Sequence, residues 1–156
     1  KGDWKERIDD LDVFWFEWNE EHRGRKYLMH LLDIVKNYFD LSSAIGYETW
    51  IRMNTRPRDW HRDHDDRLEM TTGELKYPIC TTVYYPHVGD NVQDGRLCFE
   101  NGTIILPKTN RMAFFGPDVY HNVEPFTGER LSILLNPWKE TLCQTPCHDP
   151  WRRYMV

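Results

Sequence analysis

The 156 residues suit one domain, and hydrophobic residues at 40% with aromatics at 14% supply enough apolar surface for a packed core, which excludes a wholly disordered chain. A formal net charge of −5 gives no general attraction for phosphate backbones and weighs against a nucleic-acid partner, although Arg52, Arg56, Arg58 and Arg62 make a local basic group. No apolar run approaches the roughly 20 residues that span a bilayer and no signal-peptide pattern opens the chain, so a cytoplasmic setting without a membrane partner is expected.

In chain order, Asp12–Trp18 is crowded with Phe and Trp and reads as a strand or a buried loop. Within Lys26–Phe39, Tyr27, Leu28, Leu31, Leu32, Val35 and Tyr38 recur at helical spacing, which predicts an amphipathic helix. From Gly46 the pattern changes to strands. Tyr47–Met53 is followed by a breaker at Arg56-Pro57-Arg58, and Ile79–Tyr85, rich in β-branched and aromatic residues, ends at Pro86. Arg96–Glu100 and Thr103–Leu106 flank Asn101-Gly102, a two-residue hairpin turn in which both positions tolerate positive φ. The same Asn101-Gly102-Thr103 matches a glycosylation acceptor, but without a secretory signal the turn reading is preferred. Arg111–Phe115, His121–Glu124 and Leu131–Asn136 complete the strands.

Cys80 and Cys98 fall inside strands and read as small buried apolar residues. Cys143 and Cys147, with His148 next to them, lack a local fourth ligand for a structural zinc; a disulfide is the other option, and free thiols in a reducing compartment are expected. The chain shows no repeat or linker. It therefore reads as a single domain, 1–156, with a helical N-terminal part over about 1–45, a β-roll core over about 46–138 and a short C-terminal extension over 139–156. The fold class expected is mainly β with N-terminal helices, an antiparallel double-sheet roll with helices on one face.

Chemistry concentrates in Trp60-His61-Arg62-Asp63-His64-Asp65-Asp66. In an extended segment residues i and i+2 face the same side, so His61 and Asp63 can offer an imidazole nitrogen and a carboxylate oxygen to one ion. His121, after the turn-like Gly116-Pro117-Asp118, is a candidate third ligand. Such a set suits a divalent iron and leaves positions open for O2 and a co-substrate. Further on, Arg130 can hold a carboxylate through two charge-assisted hydrogen bonds, and Ser132, two along, can donate a third.

His61-x-Asp63, His121 and Arg130-x-Ser132, in this order and spacing, resemble the 2-oxoglutarate/Fe(II)-dependent oxygenases, in particular the prolyl-4-hydroxylase-like branch. Thr81-Thr82-Val83-Tyr84-Tyr85, Gly95-Arg96-Leu97-Cys98-Phe99 and Leu106-Pro107 with Arg111–Phe115 are similar to further strands of that branch, so the likeness covers about Tyr47 to Trp138. The resemblance implies a double-stranded β-helix core of the jelly-roll or cupin kind. It also implies Fe(II) on His61, Asp63 and His121, with 2-oxoglutarate on Arg130, Ser132 and Tyr85, O2 as oxidant and ascorbate as an activator. The reaction implied is hydroxylation of a C–H bond in a protein side chain, prolyl among them, or in a small molecule, with release of succinate and CO2. Asp63 in the carboxylate position points to hydroxylation rather than halogenation. Two choices stay open in the sequence. His64-x-Asp66 has the same spacing as His61-x-Asp63, with Asp65 and Asp66 otherwise solvated or outer groups, and the co-substrate tyrosine is Tyr84 or Tyr85. Nucleic-acid demethylases of the family carry a second Arg six positions after the clamp, where this chain has Asn136. The alternative reading is a cupin-like metal- or ligand-binding module without catalysis.

Overall fold

A computed structural model describes residues 13–53 and 57–143; Asp12, Arg56, Cys147 and His148, named above, lie outside them, as does the rest of the C-terminal extension. The elements in order are β1 (Phe14–Glu17), α1 (Arg25–Val35), β2 (Gly46–Arg52), β3 (Arg58–His61), α2 (Asp66–Thr72), β4 (Thr81–Val88), β5 (Gln93–Asp94), β6 (Leu97–Phe99), β7 (Ile104–Ile105), β8 (Arg111–Phe115), β9 (His121–Val123), β10 (Phe126–Thr127) and β11 (Arg130–Trp138). Among the described residues no helix is long and apolar enough to cross a membrane.

Two antiparallel sheets face each other. The larger has five strands in the order β1-β2-β11-β4-β8 and the smaller four in the order β3-β9-β6-β7, with β10 and β5 forming a separate ribbon. Period-two alternation along β11 sends Arg130, Ser132 and Leu134 toward the smaller sheet, while Ile133 and Leu135 pack on the opposite face. Val83, Tyr85 and Ala113 of the larger sheet meet Leu97 and Phe99 of the smaller in one core, the double-stranded β-helix arrangement expected from the sequence.

The second core lies on the other face of the larger sheet, beneath α1. Leu28, Leu31, Leu32 and Val35 recur at i, i+3, i+4 and i+7, and all four are buried against Phe16, Tyr47, Cys80 and Leu135. Each such side chain contributes about 1.5–3 kcal/mol relative to leaving it in water. The helix stops at Val35, and just beyond it Asn37 Nδ2 donates to the carbonyls of Asp33 and Ile34 and closes the last turn. Tyr38 and Phe39, counted in the expected helix, instead pack on Phe114 from the turn beyond it.

Several local expectations are corrected. The aromatic N-terminal segment takes the strand form of its two expected readings, as β1 paired with β2, and so adds a strand to the part before residue 46 expected to be helical. β4 runs through Pro86 to Val88; Pro86 falls where the β11–β4 register shifts between Leu131 and Ile133, a place that needs no ladder donor. Asn101 does not adopt positive φ, and only Gly102 does, at 85°. The Phe99 and Gly102 amides donate to the Thr103 and Phe99 carbonyls, and Asn101 Oδ1 takes the Thr103 amide at 2.9 Å, so the hairpin has a longer loop than the two-residue one expected. Cys80 is buried as expected, Cys98 is only half-buried, and Cys80, Cys98 and Cys143 are free thiols.

Candidate metal centre

β3 begins at Arg58, inside the segment expected to break the chain, and ends at His61, which stands directly opposite His121 of β9. Adjacent strands thus bring together two imidazoles sixty residues apart, with ring centroids 4.3 Å from each other. Asp63 lies just past the end of β3 rather than in an extended run. Its carboxylate reaches back, with Oδ1 3.6 Å from His61 Nε2 and Oδ2 3.9 Å from His121 Nε2. One donor atom from each of the three lies within 4.8 Å of the others.

Both rings are oriented by the backbone. His61 Nδ1 donates to the Asp59 carbonyl at 2.6 Å and His121 Nδ1 to the Val119 carbonyl at 2.9 Å. A carbonyl only accepts, so these contacts place the proton on Nδ1 and leave each Nε2 lone pair aimed at Asp63. The Thr81 hydroxyl, from the facing sheet, donates to Asp63 Oδ2 at 2.8 Å and ties the carboxylate across the gap. Burial opposes the charge on Asp63, but His61, His121 and the Thr81 hydroxyl together outweigh it and hold its pKa below the ordinary carboxylate value. Burial lowers the basicity of His121, favouring the neutral ring that a metal requires.

The same cavity continues to Arg130, Ser132 and Tyr85, which are 6%, 3% and 1% exposed. It encloses about 570 Å³, its open mouth included. Arg130 is fixed without a carboxylate: Nη1 donates to the Gly95 carbonyl at 2.8 Å, and the guanidinium lies 3.8 Å from the Phe126 ring centre and 5.6 Å from that of Tyr85. Its Nε is buried and makes no hydrogen bond. Gly95 permits this approach, because a Cβ there would stand 2.7 Å from Arg130 Nη1, and its φ of +71° suits glycine. Tyr85 faces the cavity, whereas Tyr84 faces outward, with its hydroxyl donating to Asn110 Oδ1 and its ring edge-on to Tyr27. Burial raises the Tyr85 phenol pKa even though Arg130 and Arg111 pull it down, so the hydroxyl keeps its proton.

The second His-x-Asp pair goes elsewhere. His64 gathers Asp66 at 3.3 Å and Glu69 at 2.7 Å on the open side of α2. Burial works against charge on His64, but the Arg62 carbonyl and the two carboxylates raise its pKa. Asp65, the middle residue of the second pair, is 2% exposed rather than solvated: it caps α2 by accepting from the Leu68 amide at 3.0 Å and takes the Cys143 amide at 2.5 Å. Asp66 is exposed.

Arg58 of β3, expected with Trp60 and Arg56 to flank the mouth, lines the cavity, as do Trp50 and Arg52 of β2, which the sequence reading did not assign to the site. Alternation would have found these two once Tyr47–Met53 was assigned a face, since Arg52 and Trp50 stand opposite Ser132 and Leu134. A buried Glu48 opposite Asn136 was also missed; Asn136 Nδ2 donates to Glu48 Oε1 at 3.1 Å, and burial pushes the carboxyl up to about 8 against that bond, with Asp63 adding in the same direction.

No family model and no curated protein matches the sequence. Among solved structures, a Pseudomonas putida prolyl-4-hydroxylase superposes with a TM-score of 0.56 at 18% identity, over 88% of this chain and 75% of that one. A cupin-2 domain protein from Shewanella frigidimarina is matched with a TM-score of 0.38 at 14% identity, over 58% of this chain and 70% of that one. At such identities the likeness to the hydroxylase is one of architecture: the chain has a double-stranded β-helix fold with a cluster of potential metal ligands between its sheets.

Proposed function

We propose that this chain is an Fe(II)- and 2-oxoglutarate-dependent dioxygenase, a single catalytic domain that hydroxylates a C–H bond of a protein side chain or a small molecule and releases succinate and CO2. The observation that carries the reading is one cavity holding both a His-His-Asp set within 4.8 Å and a buried arginine with an unsatisfied Nε. Two neutral nitrogens and one carboxylate oxygen fit a divalent iron and leave part of its coordination open. His61, Asp63 and His121 would hold the ion, and Arg130, Ser132 and Tyr85 the far carboxylate of 2-oxoglutarate.

When bound, iron(II) with 2-oxoglutarate supplies the activation of O2 and the oxidation of the C–H bond. The protein supplies position and charge. The Asp59 and Val119 carbonyls fix the imidazole tautomers, Thr81 fixes the carboxylate, and Arg130 with the protonated Tyr85 donates to an anion. Leu97, Val83 and Leu134 wall the cavity with apolar surface and limit water beside the donors. The test is succinate release with Fe(II), 2-oxoglutarate and ascorbate, together with calorimetric 2-oxoglutarate binding in the presence of Mn(II). Both are expected; neither turnover nor binding would leave a cupin-like module without this chemistry.

A further inference from the structure

We infer that the N-terminal end of α1 binds a phosphate group, free or carried on a small molecule, through His22 Nδ1, the Lys26 amide and the side chains of Arg23 and Lys26. The groove there shares no residue with the cavity between the sheets, so it is independent of what that cavity holds. The sequence at this end runs against what a helix favours. Its first turn holds Arg25 and Lys26 and no acidic residue, and the N-cap, Gly24, has no side chain to accept from the turn. Cations at the positive end of the helix dipole are unfavourable unless an anion sits among them. The Arg25 amide donates to the His22 carbonyl, and the Tyr27 and Leu28 amides donate to that of Gly24. The Lys26 amide has no acceptor among the described residues. Backbone donors and cations gathered in this way suit an oxyanion.

His22 points to a ligand independently of the helix. It is 8% exposed, stacked on Phe16 with ring centroids 3.7 Å apart, and its Nε2 lies 2.7 Å from the Tyr47 hydroxyl. Burial pushes the Tyr47 phenol up to about 12, so it keeps its proton, and Nε2 is the acceptor it has among the described residues. With Nε2 accepting, the neutral imidazole carries its proton on Nδ1. That atom is buried and makes no hydrogen bond, a costly state for a donor. It faces the helix end: the atoms that a Cβ at Gly24 would meet are Cε1 and Nδ1 of this ring, both at 3.7 Å.

Charge selects the ligand. Glu21 and Asp33 also line the groove, but Glu21 lies 3.6 Å from Arg25 and Asp33 lies 2.8 Å from Lys36, so both charges are answered. Arg25 is further tied inward, with Nη2 donating to the Trp18 carbonyl at 3.1 Å. Arg23 and Lys26 are exposed, and their side chains have no partner among the described residues. A phosphate group, close to a dianion at neutral pH, answers both cations and still has oxygens for the amide and the ring N–H. A carboxylate answers one cation.

The test titrates inorganic phosphate into the isotope-labelled full chain at constant ionic strength and follows the backbone amide resonances, with chloride as the control. The Gly24, Arg25 and Lys26 amides are expected to shift along one saturating curve with phosphate and to stay in place with chloride. Glycerol 3-phosphate is titrated next. Tighter binding than inorganic phosphate assigns a phosphate ester, equal or weaker binding assigns the free ion, and either supports the inference. Arg23→Gln and Lys26→Gln, both at exposed positions, should each weaken phosphate by about three- to tenfold, between an exposed ion pair and a charge-assisted hydrogen bond. Gly24→Asp gives the helix a carboxylate cap of its own, at a φ of −85° open to any residue and with ordinary contacts at Cβ. That variant is expected to melt higher and to lose the phosphate response. Wild-type phosphate binding in Gly24→Asp, or in both glutamine variants, overturns the inference. So do shifts spread over the surface without saturation, or shifts confined to Arg130 and its neighbours.

Discussion

Two His-x-Asp pairs three residues apart meet opposite fates in this molecule. His61 and Asp63 turn inward beneath Thr81 and face His121, while His64 and Asp66 open onto solvent beside Glu69. Local geometry does not separate them, because all three histidines anchor Nδ1 to the carbonyl two residues earlier. What separates them is the long-range partner. The inner pair gains a neutral imidazole from a neighbouring strand, and the outer pair gains a third charged group from its own helix. The first arrangement leaves lone pairs converging in a poorly hydrated space; the second satisfies its histidine with carboxylates.

Substitutions can break or sharpen this contrast, and the largest effect is expected at Asp63. Asp63→Ala should abolish Mn(II) and Fe(II) retention on dialysis and 2-oxoglutarate-dependent turnover, exceeding the roughly 10–100-fold cost of losing an outer partner. Asp66→Ala should leave both within about twofold; the reverse pattern would transfer the metal to the outer pair. Next, Arg130→Ala should raise the 2-oxoglutarate requirement by tens- to thousands-fold, from roughly 2–5 kcal/mol for an unmatched buried charge. An unchanged dissociation constant in calorimetry would move the clamp to Lys108 or Arg111.

Glu48 extends the contrast to pH. Its folded pKa, about 8, is above the ordinary 4.5, so it favours the folded state fully below 4.5 and loses that contribution as pH rises through 8. Glu48→Gln should remove this slope, with a gain over the wild type on the order of a few kcal/mol at the alkaline end. Parallel urea-unfolding curves for the two proteins from acid to alkaline pH would contradict it. The smallest effect belongs to the residue inside the outer pair: Asp65→Ala should cost about 1 kcal/mol through the lost cap, a fall in Tm of about 2–4 °C, with metal affinity kept. A loss of metal binding at unchanged Tm would make Asp65 part of the centre.

The parts legible in the sequence are those written in periodicity. Leu28 to Val35 announced α1, and short apolar and aromatic stretches set between turn residues announced β2, β4, β8 and β11. α2 escaped because it buries no residue, so it carries no apolar stripe, and only Asp65 and Gly73 mark its ends. β5 and β10, two residues each, are set by pairing with one another rather than by propensity. At the site, residue types and spacing named the inward set, but the choice between Asp63 and Asp66, and between Tyr85 and Tyr84, needed a third dimension. Arg52 and Arg58 stood out only as members of a local basic group, since an arginine at the end of a strand is ordinarily a solvated one.

The way Arg130 is held makes the protein's thermal behaviour a reporter of its surroundings. A guanidinium fixed by a carbonyl and two rings keeps its charge uncompensated until an anion arrives. Any oxyanion that reaches it binds the folded chain alone, and stability then rises as the logarithm of anion concentration over its dissociation constant. Melting curves of this protein should therefore differ between phosphate and chloride buffers of equal ionic strength, and carboxylate metabolites should rank by the same shift.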